Sequence, residues 1–266
     1  MDARPFFNDW NPAIQFPNQS IPTMSLIALI SDIHGNIDAL KAVMADIDAQ
    51  TVTSIHCLGD IVGYGAAPSE CLTIVRSRCE TTVMGNHDLM TANPGVRLAS
   101  ERVAAGIRYA QDNLSEQDLE WLRSLPLVVT AHDFTMVHAS LANPKEFAYL
   151  TTDEEARLHF QFQETGVCFM GHTHVPQLIF PVSDDFLWSD LTDQPFRLDE
   201  RIRCAINVGS VGQPRDHDPR ASYGLFDTSR RHFQLRRVPY DIEKAQKRIR
   251  EAGLPEENAV RLEVGV

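Results

Sequence analysis

Five short polar motifs recur along the chain, and each of them follows a run of apolar residues. The motifs are Asp32-x-His34, Gly59-Asp60, Gly85-Asn86-His87-Asp88, Val137-His138 and Gly171-His172-x-His174. Aspartate, asparagine and histidine supply the oxygen and nitrogen ligands that divalent metal ions accept. A two-metal centre needs two clusters of such ligands with one carboxylate between them. The five motifs together therefore predict one two-metal hydrolytic site.

A structural role has to be weighed for each motif, because a lone histidine after a strand is more often hydrogen-bonded within the fold than bound to a metal. Five motifs in order, each preceded by an apolar run such as residues 26–30 or 167–170, make coincidence improbable. Two cations about 3.5 to 4 Å apart polarise a phosphoryl group and generate hydroxide from a bridging water at neutral pH. The chemistry to expect is therefore hydrolysis of a phosphate ester.

The composition favours one domain without a broad nucleic-acid-binding surface. The chain has 266 residues, of which 43% are hydrophobic, and this is enough for one substantial core. The 24 Lys and Arg residues against 36 Asp and Glu residues give a formal net charge of -12. Such a charge disfavours general attraction to a nucleic-acid backbone.

The cysteines predict a reducing environment. They are five in number, widely scattered and without a Cys-x-x-Cys pair. Three of them, Cys57, Cys168 and Cys204, lie in apolar runs, where a free thiol behaves as a small hydrophobic group. We therefore expect buried thiols and a cytoplasmic location.

The two ends of the chain carry separate predictions. Residues 1–23 have four prolines and no basic region followed by a continuous apolar stretch, so they do not resemble a signal peptide. We expect them to be a loosely ordered arm or an artefact of the assigned start codon. Residues 24–266 are predicted to form a single domain, in which an amphipathic helix over residues 241–253 docks on the surface. Apolar runs long enough to span a bilayer are absent from the sequence, and the oligomeric state stays open.

The first half of the chain alternates strand and helix patterns, while the second half is rich in strands. Strands are predicted at residues 26–30, 54–58, 81–84, 127–130, 134–137, 167–170, 178–180, 203–207, 222–226 and 233–238. Helices are predicted at residues 37–47, 68–79, 97–113, 115–125 and 152–162. This order indicates two packed sheets with helices outside. Residues 182–200 are acidic with interleaved aromatics, and either a hairpin that acts as a substrate flap or a solvated loop fits them.

The order of the motifs, over roughly residues 26–227, resembles the calcineurin-like metallophosphoesterase superfamily. Residues 207–220 resemble a bacterial branch of predicted phosphoesterases within it. The resemblance implies an α/β (α+β) fold, a two-sheet β-sandwich flanked by helices with its metals at strand ends. Carried over residue by residue, it implies one metal on Asp32, His34 and His174, a second on Asn86, His138 and His172, and Asp60 as the bridge. Two divalent ions are expected, drawn from Mn, Fe, Zn, Co and Ni.

The same resemblance suggests a catalytic histidine. His87 matches the residue that faces the scissile phosphate without binding metal, and we expect it to protonate the leaving group. Asp88 is a possible orienter of His87. In the Ser/Thr phosphatase branch an Asp and an Arg stand three and four places after the bridging Asp, whereas Gly63 and Tyr64 stand there in this chain. This difference weakens the interpretation as a phosphoprotein phosphatase.

Three further residues are candidates for substrate binding: Asn36, Arg215 and Arg220. The two arginines could clasp a second phosphate, and a structural salt bridge to Asp216 or Asp218 is an equally good interpretation.

The sequence thus predicts a metal-dependent hydrolase of phosphate mono- or diesters, acting through a metal-bridging hydroxide on a small phosphate ester or nucleotide. A phosphoprotein or dinucleoside-polyphosphate phosphatase is the alternative within hydrolases. A metal-binding interaction scaffold with weak catalysis is the alternative of another class. The substrate is expected to be selected by loops at residues 63–68, 143–150 and 182–200.

Overall fold

The protein is described by a computed structural model that covers residues 14–15, 26–95, 100–131 and 133–266. Its strands are β1 (Ile14–Gln15), β2 (Leu26–Ile30), β3 (Ser54–Cys57), β4 (Thr81–Thr82), β5 (Val128–Thr130), β6 (Phe134–Val137), β7 (Val167–Met170), β8 (Gln177–Val182), β9 (Asp185–Asp190), β10 (Phe196–Arg197), β11 (Cys204–Asn207), β12 (Ala221–Asp227) and β13 (His232–Val238). Its helices are α1 (Ile37–Asp48), α2 (Pro68–Arg78), α3 (Asn86–Ala92), α4 (Glu101–Asn113), α5 (Glu116–Ser124), α6 (Asp153–Phe162), α7 (Ile242–Glu251) and α8 (Glu256–Val264), with a short 3₁₀ helix at Pro144–Glu146.

The strands form two mixed sheets, as predicted. One sheet has the order β10-β13-β12-β2-β3-β4, and the other has the order β1-β5-β6-β7-β11-β8-β9. Parallel pairing joins β2 to β3 and β3 to β4 in the first sheet, and β6 to β7 to β11 in the second. Parallel neighbours point their carboxyl ends to the same edge, so the loops after these strands come together.

An apolar layer between the two sheets holds them together. Phe134 and Phe169 of one sheet pack with Phe226 and Phe233 of the other, and all four side chains are fully buried. The rings of Phe169 and Phe226 lie 5.2 Å apart in an edge-to-face arrangement, which aromatic pairs prefer. This contact fixes the position of one sheet on the other, and with it the position of their loops.

Helix α1 shows how the outer layer follows from the sequence. Asn36 caps the helix by accepting a hydrogen bond from the Ala39 amide, and Leu40, Val43 and Ile47 recur at helical spacing on the buried side. The predictions for α2, α5 and α6 are confirmed within a residue or two, and α6 begins with a capping box of Thr152 and Glu155.

Several elements differ from the sequence prediction. Helix α3 starts inside the Gly85-Asn86-His87-Asp88 motif and was not predicted, because seven residues are too few to show a helical period. Helix α8 was also not predicted. Residues 182–190 complete the hairpin of β8 and β9, so the hairpin is confirmed. The predicted start of α4 at residue 97 and most of the predicted arm, residues 1–13 and 16–23, lie outside the described residues.

The helix predicted at residues 241–253 is α7, which is found at Ile242–Glu251 with Asp241 as its cap. It packs against α8 and α1 and is tied to α1 by ion pairs from Lys244 and Arg248 to Asp38. Among the described helices, none has the length and apolar character needed to cross a membrane.

A polar cluster joins α1 to the adjacent sheet. The Asp46 carboxylate accepts hydrogen bonds from the Tyr223 hydroxyl at 2.7 Å and from two nitrogens of Arg236 at 2.7 and 3.1 Å. Partial burial raises the pKa of Asp46, but the bonds from Arg236 and Tyr223 outweigh it and hold the pKa below its ordinary value. A carboxyl group with a lowered pKa stabilises the fold above its unfolded-state pKa, and this contribution is lost as the pH falls.

We predict that Asp46→Asn lowers the free energy of unfolding by about 1 to 3 kcal/mol at pH 7, because Arg236 and Tyr223 lose their acceptor. The deficit should shrink as the pH falls below about 4, where the unfolded chain takes up a proton at this position. Urea unfolding at pH 7 and at pH 3.5 measures both effects. Asp48→Asn is the matched control, since Asp48 lies on the same helix in an exposed pair with Arg78. Equal losses in the two variants would contradict the assignment.

Candidate metal centre

The five motifs meet at one edge of the two sheets. Each motif follows the carboxyl end of its strand: β2, β3, β4, β6 and β7 lead, in that order, into the loops that carry them. The structure brings together all seven side chains that were expected to bind metal, and each of them except Asn86 is buried: Asp32, His34, Asp60, Asn86, His138, His172 and His174.

The backbone turns sharply at this edge. Five of the seven residues have positive φ angles between 49° and 69°, a conformation that is uncommon for residues other than glycine: Asp32, His34, Asp60, His172 and His174. Such conformations cost about 1 to 3 kcal/mol each and persist where the surrounding structure enforces them, often at functional sites. The strained turns aim the side chains inward at the ends of the strands.

The first cluster is formed by Asp32, His34 and His174. The His174 Nε2 atom lies 3.2 Å from Asp32 Oδ1, and the Nε2 atoms of His34 and His174 lie 3.1 Å apart. One candidate ligand atom from each of these three residues fits within 4.8 Å of the others. This is the set of ligands that the sequence assigned to one metal.

The second cluster is formed by Asn86, His138 and His172. The His138 Nε2 atom lies 3.2 Å from the Asn86 Oδ1 atom and 3.4 Å from Asp60 Oδ2, and His172 shares a ligand cluster with both His138 and Asp60. Asp60 Oδ2 also lies 3.6 Å from His34 Nε2 of the first cluster. Asp60 is therefore placed between the two clusters, where a bridging carboxylate belongs.

Hydrogen bonds to the backbone orient three of the imidazoles. The Nδ1 atoms lie at hydrogen-bond distance from carbonyl oxygens, His34 with Val62 at 3.1 Å, His138 with Leu58 at 2.7 Å and His174 with Gln213 at 2.6 Å. A carbonyl can only accept, so Nδ1 carries the proton and Nε2 has a free lone pair in the neutral ring. Metal-binding histidines are commonly oriented in this way.

The donor set fits divalent cations. The Nε2 lone pairs of His34 and His174 face each other at 3.1 Å, an arrangement that is repulsive unless a positive charge lies between them. Asp32 Oδ1 and His172 Nε2 are buried and have no hydrogen-bond partner, and such groups are costly to leave unpaired. The other oxygen of Asp32 accepts from the Ser31 hydroxyl and the His172 amide, so one oxygen is anchored and the other points into the site.

The carboxylates and histidines strongly perturb each other. Burial raises the pKa values of Asp32 and Asp60, but His174 and His138 respectively outweigh it and hold both well below the ordinary range. Burial lowers the pKa of His138, while Asp60 raises it to about 9 overall, and burial lowers the pKa of His172 to about 3. The pocket thus keeps both carboxylates ionised in a dry environment.

His87 is a buried side chain that packs beside the first cluster. Its ring centre lies 4.7 Å from that of His34 and 4.5 Å from that of Tyr64, and its Nδ1 atom has no hydrogen-bond partner. Gly63 has a φ angle of +92°, and a Cβ atom there would lie 2.2 Å from His87 Nδ1, so only glycine leaves room for the ring. Burial lowers the pKa of His87 to about 4.

Asp88 has a different place from the one expected. Its carboxylate accepts backbone hydrogen bonds from Asp60 at 2.8 Å, Ile61 at 2.9 Å and Gly85 at 3.1 Å. Both oxygens are therefore engaged with the loop after β3 and not with the His87 ring. The correction is that Asp88 positions Asp60 and does not orient His87.

Two of the three substrate-binding candidates also have structural partners. Asn36 caps α1, and its amide donates to the Gly212 carbonyl and the Tyr240 hydroxyl, so its polar atoms are engaged inside the fold. Arg220 pairs with Asp218 through Nε and the second guanidinium nitrogen. For Arg220 the salt-bridge interpretation therefore replaces substrate binding, and for Asn36 a capping role does.

Arg215 stays beside the metal cluster. Its amide donates to the His174 carbonyl, its guanidinium donates to Gln213 Oε1 at 3.0 Å, and its carbon Cζ lies 5.9 Å from the centre of the Tyr64 ring. The Arg215 Nε atom is buried without a hydrogen-bond partner. Neither Asp216 nor Asp218 pairs with Arg215, because both are held by Arg237.

Three residues that the sequence did not assign a role in binding lie at this site, and two of them, Tyr64 and Tyr149, belong to loops that were expected to select the substrate. Tyr64 packs against His34 and His87, Arg102 lies over the Tyr64 ring, and the half-exposed Tyr149 stacks on His172 with ring centres 4.3 Å apart. The only sequence signal for them was their position in, or just beyond, loops that follow a motif. An aromatic residue in a loop carries no motif of its own.

The whole arrangement matches known proteins. Residues 24–231 match the family model described as calcineurin-like phosphoesterase superfamily domain. An uncharacterised protein of Methanocaldococcus jannaschii is 36% identical over 246 residues, which cover 91% of this chain and 98% of that protein. A metallophosphoesterase crystal structure from Sphaerobacter thermophilus is similar at a TM-score of 0.82 and 38% identity, covering 91% of this chain and 100% of that one.

A more distant relative carries an assigned activity. The symmetrical bis(5'-nucleosyl)-tetraphosphatase of Pasteurella multocida is 30% identical over 122 residues, which cover 43% of this chain and 44% of that enzyme. The chain thus matches less than half of the length of that relative.

We predict that the purified protein binds two divalent ions per chain after saturation with Mn²⁺. His172→Ala should retain one ion, because it removes a ligand from one cluster only, and Asp60→Asn should weaken both sites. Elemental analysis after gel filtration measures the content. His232→Ala is the control, since His232 is exposed on β13 and should leave two ions bound. One ion in the saturated wild-type protein would refute the assignment.

We predict that Asp88→Asn weakens metal binding although Asp88 contacts no metal. An amide has one acceptor oxygen in place of two, so a backbone N–H of the loop that carries Asp60 loses its partner at a cost of about 1 to 3 kcal/mol. Thermal unfolding and Mn²⁺ titration measure the two effects. Asp112→Asn, an exposed substitution on α4, serves as control. Unchanged Mn²⁺ affinity in Asp88→Asn would contradict a positioning role.

Proposed function

The chain belongs to the calcineurin-like phosphoesterase superfamily, and from this we propose that it hydrolyses phosphate mono- or diesters with two divalent cations. The observation that carries the proposal is the pair of buried ligand clusters with Asp60 between them and with unpaired acceptor atoms aimed at their centres. When bound, the cations would supply Lewis acidity and an activated water. The experiment is hydrolysis of a panel of mono-, di- and cyclic phosphate esters with Mn, Fe, Zn, Co and Ni added back separately.

The side chains of the protein have three tasks in this proposal. Asp32 and Asp60 supply the negative charge that holds the cations, and the oriented imidazoles complete the ligand sets. The uncharged amide of Asn86 limits the charge donated to one site, which leaves the cation there a stronger Lewis acid. The buried pocket excludes bulk water, so electrostatic interactions with the transferred phosphoryl group are strong.

His87 is proposed to donate the proton to the leaving group. Its pKa of about 4 leaves the ring neutral at pH 7 in the protein alone. A bound phosphate brings negative charge next to the ring, and a neighbouring opposite charge favours the protonated form. We infer that the negative charge of the substrate assists protonation of His87 before donation. The position of His87 also allows metal binding with His34 and Asp60, and the test below separates the two roles.

The substrate class is the finer part of the proposal. The relative from Pasteurella multocida is named a bis(5'-nucleosyl)-tetraphosphatase, so a dinucleoside polyphosphate is a candidate substrate. It ranks second because the match covers less than half of each chain. Arg215 lies beside the metal cluster with its Nε atom buried and without a hydrogen-bond partner, which favours a phosphorylated substrate of this kind. Gly63 and Tyr64 replace the Asp and Arg of the phosphoprotein phosphatases, so a phosphoprotein substrate is less well supported.

We also propose a reducing compartment, the cytoplasm, as the location of the protein. All five cysteines are free, and four are buried: Cys57, Cys71, Cys168 and Cys204. Burial raises the pKa values of their thiols, so they stay protonated and unreactive.

We predict that His87→Ala keeps both metals and lowers kcat by about 100-fold or more for alkyl phosphate esters, whose leaving groups need a proton. For 4-nitrophenyl esters the loss should be much smaller, because that leaving group is stable as an anion. Steady-state kinetics on both esters, together with metal analysis, give the result.

The outcomes separate two roles of His87 and also test the metal-binding scaffold. Loss of one metal in His87→Ala identifies a ligand. Equal loss of kcat on both esters contradicts proton donation. The absence of hydrolysis by the wild-type protein on the whole panel, with two metals bound, would favour the metal-binding scaffold instead.

A further inference from the structure

Two arginines converge on one tyrosine at the rim of the metal centre. The Cζ atoms of Arg102 and Arg215 lie 5.2 and 5.9 Å from the centre of the Tyr64 ring. Arg102 comes from α4 and Arg215 from the loop after β11, so the two come from distant parts of the chain. The same ring also packs against His87, with the two ring centres 4.5 Å apart.

The folded backbone is built to bring Arg102 to this place. Gly106 lies one helical turn after Arg102, on the same face of α4. A Cβ atom at Gly106 would lie 2.5 Å from the Tyr64 amide nitrogen, so the helix approaches the Tyr64 loop more closely than any other residue would allow. Tyr64 itself has a φ angle of 52°, a strained conformation for a bulky residue.

The C-terminal helices hold the loop from the other side. Asn258 of α8 is fully buried and donates a hydrogen bond to the Tyr64 carbonyl at 3.2 Å. The Tyr64 backbone is therefore held by α4 and α8, and its ring packs against His34 and His87. A rigid aromatic face of this kind gives two guanidinium groups a defined position through cation–π contacts.

Neither Arg102 nor Arg215 has an acidic partner: neither takes part in any salt bridge among the described residues. The nearby Arg220 and Arg237 are both neutralised, by Asp218 and Asp216. Two half-buried cations that share one ring repel each other, and a bound anion would remove the repulsion. Two neighbouring arginines without acidic partners are unexpected in a chain with a net charge of -12.

We propose that Arg102 and Arg215 form a clamp for a second anionic group of the substrate, with Tyr64 as its rigid base. This inference rests on the proposed function and names the substrate class: phosphate esters or anhydrides whose leaving group itself carries a phosphate. The clamp lies beside His87, the proposed donor to the leaving group, so the group that departs is the one that the arginines hold. In this proposal Arg102, and not Arg220 as the sequence suggested, binds the second phosphate together with Arg215.

The clamp predicts a specific pattern of ligand binding. Methylphosphonate carries one anionic group, and methylenediphosphonate carries two joined by a carbon that resists hydrolysis. Charge-assisted contacts of guanidinium with phosphate are among the stronger hydrogen bonds in proteins. We expect Arg102→Ala and Arg215→Ala each to raise the Kd of methylenediphosphonate by about 10-fold or more, and to change that of methylphosphonate by less than about 3-fold.

Calorimetric titration of the full-length protein, saturated with Mn²⁺ at a constant free concentration, measures both constants. Arg108→Ala is the matched control, because Arg108 lies on the same helix in an exposed pair with Glu101. Arg102→Lys should recover part of the affinity, since it restores the charge without the planar fork. In the double variant Arg102→Ala/Arg215→Ala, the loss should differ from the sum of the single losses, because both arginines contact one group.

The results separate this inference from the proposed function. Equal weakening of both ligands, or no difference from Arg108→Ala, overturns the clamp. A lowered Tm in Arg102→Ala with an unchanged Kd of methylenediphosphonate overturns it as well, since the arginine is then structural. If the clamp binds as expected but no phosphate ester or anhydride is hydrolysed, the proposed function fails while the clamp stands.

Discussion

The burial of two carboxylates within one pocket is the constraint on which the rest of the structure depends. Asp32 and Asp60 are almost completely shielded from water, and each would be costly to ionise alone in such a place. The protein lowers this cost by anchoring one oxygen of each to hydrogen-bond donors, the Ser31 hydroxyl for Asp32 and the His87 amide for Asp60. The second oxygen of each is left facing imidazoles. Positive charge at the centre offsets the two carboxylates, so the site favours cations.

The loop after β3 shows how the fold stabilises the strained backbone of this arrangement. Asp60 has a strained backbone, and three consecutive residues from Asp60 to Val62 offer backbone amides that have no strand to bond to. A third buried carboxylate, Asp88, accepts these amides, and burial together with Asp60 raises the pKa of Asp88 to about 7. One buried carboxyl group thus holds the backbone that positions another. A substitution at Asp88 would therefore disturb the bridging position without touching it.

The sequence predicted the features that depend on residues close together along the chain, and it missed those that depend on contacts between distant residues. The ligand residues could be named because aspartate, asparagine and histidine follow apolar strands in an order that resembles the family. The role of Asp88 was missed because adjacency to His87 in sequence does not determine direction: α3 begins at Asn86 and turns the Asp88 carboxylate toward the backbone. Arg102 could not be found at all. Its place over Tyr64 depends on contact between α4 and a loop about 40 residues earlier, made possible by the missing side chain of Gly106.

The same reasoning explains why an acidic protein can recognise an anionic substrate. Long-range electrostatics oppose the approach of a phosphate ester to a chain with a net charge of -12, although salt screens this repulsion beyond about 10 Å. Binding must therefore be decided by short-range contacts at the site. The surface arginines of the cleft that contains Arg215 are mostly paired with aspartates, and pairing removes them as anion receptors. In the proposed clamp, Arg102 and Arg215 keep their charge available to a ligand because neither has an acidic partner among the described residues. Selectivity for the substrate would then reside in which arginines the fold leaves without acidic partners, and not in the net charge of the chain.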